Sequence, residues 1–98
     1  CYCTSSATST ADEEIFGVTI GSWSNTSTCS TTACGTGSVN SMYSNYKGCL
    51  AGPSVSQGQL VTFSLNLGYC GTFAYSNMAA IYIDYNQNGL FTDAGENV

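Results

Sequence analysis

The sequence predicts a small all-β domain, an antiparallel β-sandwich whose loops are stapled by cysteines. Short runs of alternating apolar and polar residues are separated by turn signals, and no segment sustains the 3.6-residue period of a helix. β-branched and aromatic residues also outnumber the strong helix formers. The 98 residues predict a single domain, residues 1–98, near the size at which covalent or metal staples are needed.

The first predicted strand covers residues 13–20 and is half-buried. Its apolar side chains fall on one face, and they are Phe16, Val18 and Ile20. The Ser/Thr/Cys/Gly tract 24–38 has no periodicity and predicts a loop or a weak edge strand. Residues 42–46 alternate weakly and predict a further short strand.

The two later strands carry the stronger signals. Residues 60–67 alternate cleanly, with four apolar side chains on one face: Val61, Phe63, Leu65 and Leu67. Residues 78–83 are almost wholly apolar, which predicts a strand buried on both faces. Asp84 would lie directly after the end of that strand.

Six cysteines are dense for a chain of this length, and they are Cys1, Cys3, Cys29, Cys34, Cys49 and Cys70. The pairs Cys1-x-Cys3 and Cys29-x4-Cys34 would suit zinc in a cytosolic protein. The absence of His, the even count and the hydroxyl-rich composition favour disulfides in an oxidising compartment. Six cysteines allow 15 connectivities, among which the sequence does not choose. A short loop favours Cys29–Cys34, and Cys49–Cys70 would then tie the middle of the chain together, whereas terminal Cys1 could equally bond another subunit.

Charge is scarce and negative. One Lys, no Arg and six acids give a net charge of −5, which argues against nucleic acid and anionic membrane surfaces as partners. No apolar run is long enough to span a bilayer, and no basic, apolar export signal is present. We therefore expect a mature secreted segment that works outside the cell or at its surface, without inserting into the membrane.

The last fifteen residues space oxygen ligands as a hard cation requires. Side-chain oxygens at i, i+2 and i+4 converge when a chain curls around an ion, and Gly89 permits the sharp turn. Calcium suits such a loop because it accepts many oxygens, neutral amides included. The predicted ligands are Asp84, Asn86, Asn88, the backbone carbonyl near Leu90, Asp93 and Glu96.

The match to an EF-hand loop is partial, because Gly95 stands at the twelfth position where that loop has its bidentate acid. The alternative is a plain hairpin turn, since Asn-Gln-Asn-Gly is rich in turn formers. A plain turn does not require half of the chain's acids within thirteen residues. The sequence therefore favours a metal loop over a simple turn.

Catalytic chemistry is hard to assemble from these residues. Without His there is no Ser-His or Cys-His dyad, and a Ser-Lys pair would depend on Lys47 alone. The acidic residues 12–14 lie at the start of the first predicted strand, and we interpret them as a solvated edge that opposes aggregation. Gly35-x-Gly37 lacks the strand and helix that frame a phosphate loop. The sequence predicts that the protein is not an enzyme.

Several motifs occur in an order that resembles the GEVED domain, a β-sandwich module of secreted and cell-surface bacterial proteins. These motifs are Tyr2-Cys3, Tyr43-Ser44-Asn45-Tyr46, the strand at 60–67 and the block Ile81 to Glu96. The resemblance implies a non-catalytic accessory module with metal at the loop positions named above. Asn88 stands where the family tends to have Asp, which lowers the loop's charge and its calcium affinity. Asn45 also stands where the family tends to have Asp, so the resemblance assigns no role to that position. The family pattern places a further strand after Glu96, so we expect a fragment or a subunit completed by a neighbour.

Together these observations predict a calcium-binding module for extracellular structure or adhesion. Its subunits would polymerise into a surface fibre through sheet edges or Cys1. The alternative is an accessory module of a larger secreted hydrolase that binds a glycan or a surface protein. Trp23 and seven tyrosines could supply a stacking platform for sugars, or they could pack in the core.

Overall fold

The computed structural model describes residues 7–9, 13–30 and 43–98. These residues form one three-stranded antiparallel sheet in the order β2-β1-β3. The strands are β1 (Glu13–Ile20), β2 (Trp23–Thr26) and β3 (Phe63–Tyr69). The described ranges contain no helix, and hence none that is long and apolar enough to cross a membrane.

A two-residue turn joins β1 to β2 and makes Ile20 the partner of Trp23. Gly21 has φ 58° at the first turn position, where type II′ hairpins favour glycine because a side chain would be strained there. The Gly21 amide also donates to the Thr62 carbonyl, 2.8 Å away, which ties the turn to the entry of β3. The Trp23 indole donates to the Ala51 carbonyl at 2.7 Å and thereby fixes the outer strand to the segment beyond residue 43.

The long pairing of β1 with β3 contains a β-bulge between Ile15 and Gly17. The bulge turns Phe16 away from the face shared by Val18 and Ile20, so the prediction that these three share a face is wrong. The Phe16 ring lies instead against Gly68, where any larger side chain would overlap it. The absence of a side chain at residue 68 thus makes room for the ring.

The sheet order explains the disulfide between Cys29 and Cys70. Because β2 and β3 are both antiparallel to β1, they run parallel to each other and end at the same end of the sheet. Cys29 and Cys70 follow these two ends, and their Cα atoms are 5.6 Å apart. The predicted pairs Cys29–Cys34 and Cys49–Cys70 are therefore wrong. Cys49 is also disulfide-bonded.

The predicted strands are confirmed in part. β1 has the predicted bounds, 13–20, and tract 24–38 begins with the weak edge strand β2. The strand predicted at 60–67 begins only at Phe63, because Leu60 is 93% exposed and lies outside the sheet.

Two further predicted strands are absent from the described residues. At 78–83 only Tyr82 forms a bridge, to Asn97, and Met78 is 98% exposed, so the doubly buried strand is wrong. The apolar composition of the segment predicted a strand, but composition does not determine whether a partner strand is present. At 43–46 there is no strand, and the remaining residue of that prediction lies outside the described ranges.

Burial in the described residues is unusual, because no large hydrophobic side chain among them is fully buried. The buried charged side chains there are Glu14 and Glu96, at 9% and 2% exposure. Glu14 therefore departs from the solvated edge predicted for residues 12–14. The face bearing Ile15, Phe63 and Leu67 is exposed, and the second sheet of a sandwich is not formed by the described residues.

Replacing Cys29 and Cys70 together by Ala should lower the free energy of unfolding markedly. The bond closes 41 residues of sequence, for which chain entropy predicts a loss of about 4 kcal/mol. Urea unfolding of the oxidised proteins measures the change. An unchanged midpoint would contradict the role assigned to this bond, and Ser22→Ala in the hairpin turn at the opposite end of the sheet is the control that should leave the midpoint unchanged.

Candidate metal centre

The C-terminal loop is closed by a short antiparallel pairing of the residues on either side of it. The Ile83 amide donates to the Glu96 carbonyl at 2.8 Å, and the Val98 amide donates to the Ile81 carbonyl at 3.0 Å. The rings of Tyr82 and Phe91 pack 6.0 Å apart at a tilt of 54°. These contacts hold the first and last predicted ligands, Asp84 and Glu96, at the mouth of one loop.

Asp84 organises the first turn of the loop through both of its carboxylate oxygens. Oδ1 accepts the Asn88 amide at 3.1 Å, and Oδ2 accepts the Gly89 amide at 2.9 Å. Gly89 is buried with φ 84°, and Gln87 has φ 59°, so the chain enters the left-handed region twice within three residues. The chain thus curls around the Asp84 carboxylate, whereas the convergence of oxygens from Asp84, Asn86 and Asn88 around an ion stays a prediction.

Asn86 and Asn88 each form a side-chain turn and then meet at Asp93. The Oδ1 atom of Asn86 accepts the Asn88 amide at 3.0 Å, and that of Asn88 accepts the Leu90 amide at 2.7 Å. Their Nδ2 groups donate to Asp93 Oδ2 at 2.7 and 2.6 Å. Two neutral amides thus converge on one carboxylate oxygen, the kind of position in which a cation also binds.

Glu96 is the least exposed of the predicted ligands. Its Oε2 accepts the Asp93 amide at 3.3 Å, and its own amide donates to the Asp93 carbonyl at 3.2 Å. The other carboxylate oxygen, Oε1, is buried and has no hydrogen-bond partner among the described residues. Burying a charged oxygen without a partner is costly, so a nearby positive group or hydrogen-bond donor would stabilise this atom.

The loop suits a calcium ion better than a metal that is held by carboxylates alone. Among the described residues no three acids or cysteines gather closely enough to hold a metal by themselves. A site here must therefore also use the neutral amide oxygens of Asn86 and Asn88, each of which keeps a lone pair beside its backbone contact. Calcium accepts such mixed oxygen sets, whereas zinc prefers nitrogen and sulfur.

The structure connects the predicted ligands in two ways, through their side chains and through the backbone. Asn86, Asn88 and Asp93 are linked through their side chains, and Glu96 is linked to Asp93 through the backbone. Asp84 reaches the same turn through backbone amides, while Leu90 contributes an amide contact to Asn88. The burial of Glu96 could not be predicted from the sequence, because it follows from the pairing of residues 81–83 with 96–98.

Comparison of the chain with protein families, with curated proteins and with solved structures gives no match. The resemblance to the GEVED domain therefore stays a prediction that depends on the motifs of the sequence.

Asp84→Ala should loosen the first turn of the loop, because it removes the acceptor of two backbone amides, one of them in buried Gly89. We expect a loss of about 1–3 kcal/mol in calcium-free buffer. Asp84→Asn keeps one acceptor oxygen, so its loss of stability should be smaller. Hydrogen exchange at the Gly89 amide measures the effect, and equal protection in Asp84→Ala and the unchanged protein would contradict it.

Proposed function

We propose that this protein is a secreted, non-catalytic, calcium-binding β-domain that serves extracellular structure or adhesion. In this proposal the described sheet is one layer of a β-sandwich of the GEVED type, and calcium binds within the loop of residues 84–96. Subunits associate through exposed sheet edges to build a fibre at the cell surface.

The buried, unpartnered Oε1 atom of Glu96 is the observation that carries the calcium proposal. Three of the chain's six acids lie in this loop, and the whole chain contains a single Lys and no Arg. Side-chain cations therefore cannot neutralise Asp84, Asp93 and Glu96 together. A divalent ion would supply the missing charge and would also take the amide oxygens of Asn86 and Asn88, whose Nδ2 groups meet at Asp93.

Calcium would act on stability by joining groups that otherwise repel one another. Ion binding to the folded loop, with no matching site in the unfolded chain, adds its binding free energy to folding. The ion would tie the turn at Asp84 to the closure at Glu96, and so fix the C-terminal segment. This contribution matters in a domain whose described residues include no fully buried aliphatic side chain.

Secretion is supported by the cysteine chemistry. The Cys29–Cys70 bond and the disulfide at Cys49 are stable in oxidising compartments and rare in the cytosol. The near absence of cations fits an extracellular protein that does not use nucleic acid as a partner.

Association is supported by the two edges and one face of the described sheet. β3 is an outer strand of seven residues, and no described strand pairs with its free edge. The apolar side chains of Ile15, Phe63 and Leu67 are 48%, 39% and 37% exposed on the same face. A free edge beside an apolar face is what strand addition between subunits requires.

The alternative function is that of an accessory module which binds a glycan or a protein. Exposed aromatic side chains favour it, because stacking on rings is the physical basis of sugar recognition. These side chains are Tyr43, Tyr69, Phe73, Tyr75 and Tyr85. Trp23 is half-buried and donates to Ala51, so it contributes less to such a platform than its sequence position suggested.

The effect of Glu96→Gln on the stability of the protein should be opposite with and without calcium. Without the ion it removes an unpartnered buried charge, so stability should stay level or rise by about 1 kcal/mol. With calcium at a hundredfold excess over its dissociation constant, the unchanged protein should gain about 2.7 kcal/mol and the variant should gain little. Thermal unfolding in calcium and in chelator measures both effects.

Glu14→Gln is the matched control, because Glu14 is a buried carboxylate in the sheet, away from the loop. It should keep the full response to calcium. Asp84→Ala should lose that response, as chelation does. Unfolding that is unchanged by chelation and by Asp84→Ala would exclude the calcium site.

The oligomeric state separates the two functions. Light scattering and negative-stain microscopy should show filaments or large oligomers in calcium buffer. Adding chelator tests whether calcium joins the subunits, and adding reductant tests whether disulfides such as one through Cys1 do. A compact monomer of 10.2 kDa under all conditions would contradict assembly and favour the ligand-binding module.

A further inference from the structure

The loop contains the chain's single Asn-Gly step, Asn88-Gly89, and no Asp-Gly step. Asn-Gly is the dipeptide in which the following backbone nitrogen most readily attacks the side-chain amide, because glycine has no side chain in the way. Asn88 is exposed to solvent, so water reaches the products of such an attack. We propose that Asn88 is a site of spontaneous deamidation, and that contacts to Asp84 and Asp93 restrain the reaction.

The reaction is a ring closure followed by hydrolysis. The Gly89 nitrogen attacks Cγ of Asn88, the new C–N bond closes a succinimide, and the Cγ–Nδ2 bond breaks. The leaving group takes up the proton lost from the Gly89 nitrogen and departs as ammonia. Water then opens the ring at one of its two carbonyls and yields aspartate or isoaspartate. No electrons are transferred, and water is the co-reactant.

In the folded loop each reacting group is held by a hydrogen bond. The Gly89 N–H that must be lost donates to Asp84 Oδ2 at 2.9 Å, and the leaving Nδ2 donates to Asp93 Oδ2 at 2.6 Å. The Oδ1 of Asn88 accepts the Leu90 amide at 2.7 Å, which fixes the side-chain rotamer. A carboxylate beside the attacking nitrogen also opposes the negative charge that develops there. The folded loop therefore reacts more slowly than the free dipeptide.

The product has a consequence that rests on the proposed calcium site. Aspartate at residue 88 adds a fourth carboxylate to a loop that already contains Asp84, Asp93 and Glu96. Charge count among oxygen ligands sets calcium affinity, so the converted loop binds the ion more tightly. Without calcium the same conversion increases repulsion and opens the loop. In the molecules whose ring opens to aspartate, deamidation thus acts as a slow, irreversible change from a weaker to a stronger calcium loop. Isoaspartate instead lengthens the backbone of the loop by one carbon and does not make this change.

The rate of conversion at Asn88 is the first test, measured by peptide mass spectrometry after incubation of the full chain. The folded protein should convert roughly tenfold or more slowly than the same chain in denaturant, since charge-assisted hydrogen bonds of this kind must first break. Asp84→Ala should convert faster than the unchanged folded protein but more slowly than the unfolded chain, because the contacts of Asn88 to Asp93 and Leu90 remain. Equal rates in the folded and unfolded chains would overturn the restraint, and this comparison needs no substitution.

Glu13→Ala is the matched control for Asp84→Ala. The Glu13 Oε1 atom also accepts a backbone amide, that of Tyr75, but it lies at the start of β1 and outside the loop. Its loss should leave conversion at Asn88 unchanged. An equal acceleration in both variants would attribute the effect to general loosening and overturn the local restraint. A slower reaction in Asp84→Ala would instead make Asp84 a base that promotes the attack, which also overturns it.

Calcium titration of Asn88→Asp tests the consequence. The variant should bind calcium roughly tenfold more tightly than the unchanged protein, as an added charged ligand predicts. Calcium binding of equal strength in both would overturn the consequence while leaving the calcium site itself intact. Absence of binding in both would overturn the proposed function and this consequence together, while the rates above would still decide the restraint on Asn88.

Discussion

Closure of the C-terminal loop places the Glu96 carboxylate where water no longer reaches it. Two backbone hydrogen bonds between residues 81–83 and 96–98 achieve this, and one of them uses the Glu96 carbonyl itself. The side chain is 2% exposed, and its Oε1 has no partner among the described residues. The geometry of the whole loop follows from this closure, because Asp84 and Asp93 are both connected to the turn that it encloses.

The sheet depends on a different constraint, the covalent bond between Cys29 and Cys70. Since the described residues include no fully buried aliphatic side chain, burial of apolar surface contributes less here than in most domains. The bond joins the ends of β2 and β3 across the central strand and restricts the unfolded chain. A small sheet joined by the Cys29–Cys70 disulfide is consistent with a domain near the size at which covalent staples are needed.

Local features were predictable from the sequence wherever nearby residues decide them. The bounds of β1 follow from alternation, and the turn at Gly89, with φ 84°, follows from the glycine itself. Features that depend on distant partners were not predictable. The Cys29–Cys70 pair requires the strand order, and the rotation of Phe16 requires a bulge that only the pairing with β3 reveals. The strand predicted at 78–83 failed because an apolar run does not specify a partner.

The central claim is that the loop of residues 84–96 binds calcium, and terbium luminescence tests it most directly. Terbium takes the same hard oxygen sites as calcium and emits when a tyrosine nearby absorbs light. Tyr85 follows Asp84 directly, and Tyr82 packs on Phe91 of the loop. We predict sensitised emission that calcium competes away and that Glu96→Gln abolishes while Glu14→Gln keeps it. Absence of sensitised emission, or emission that calcium does not displace, would contradict the account.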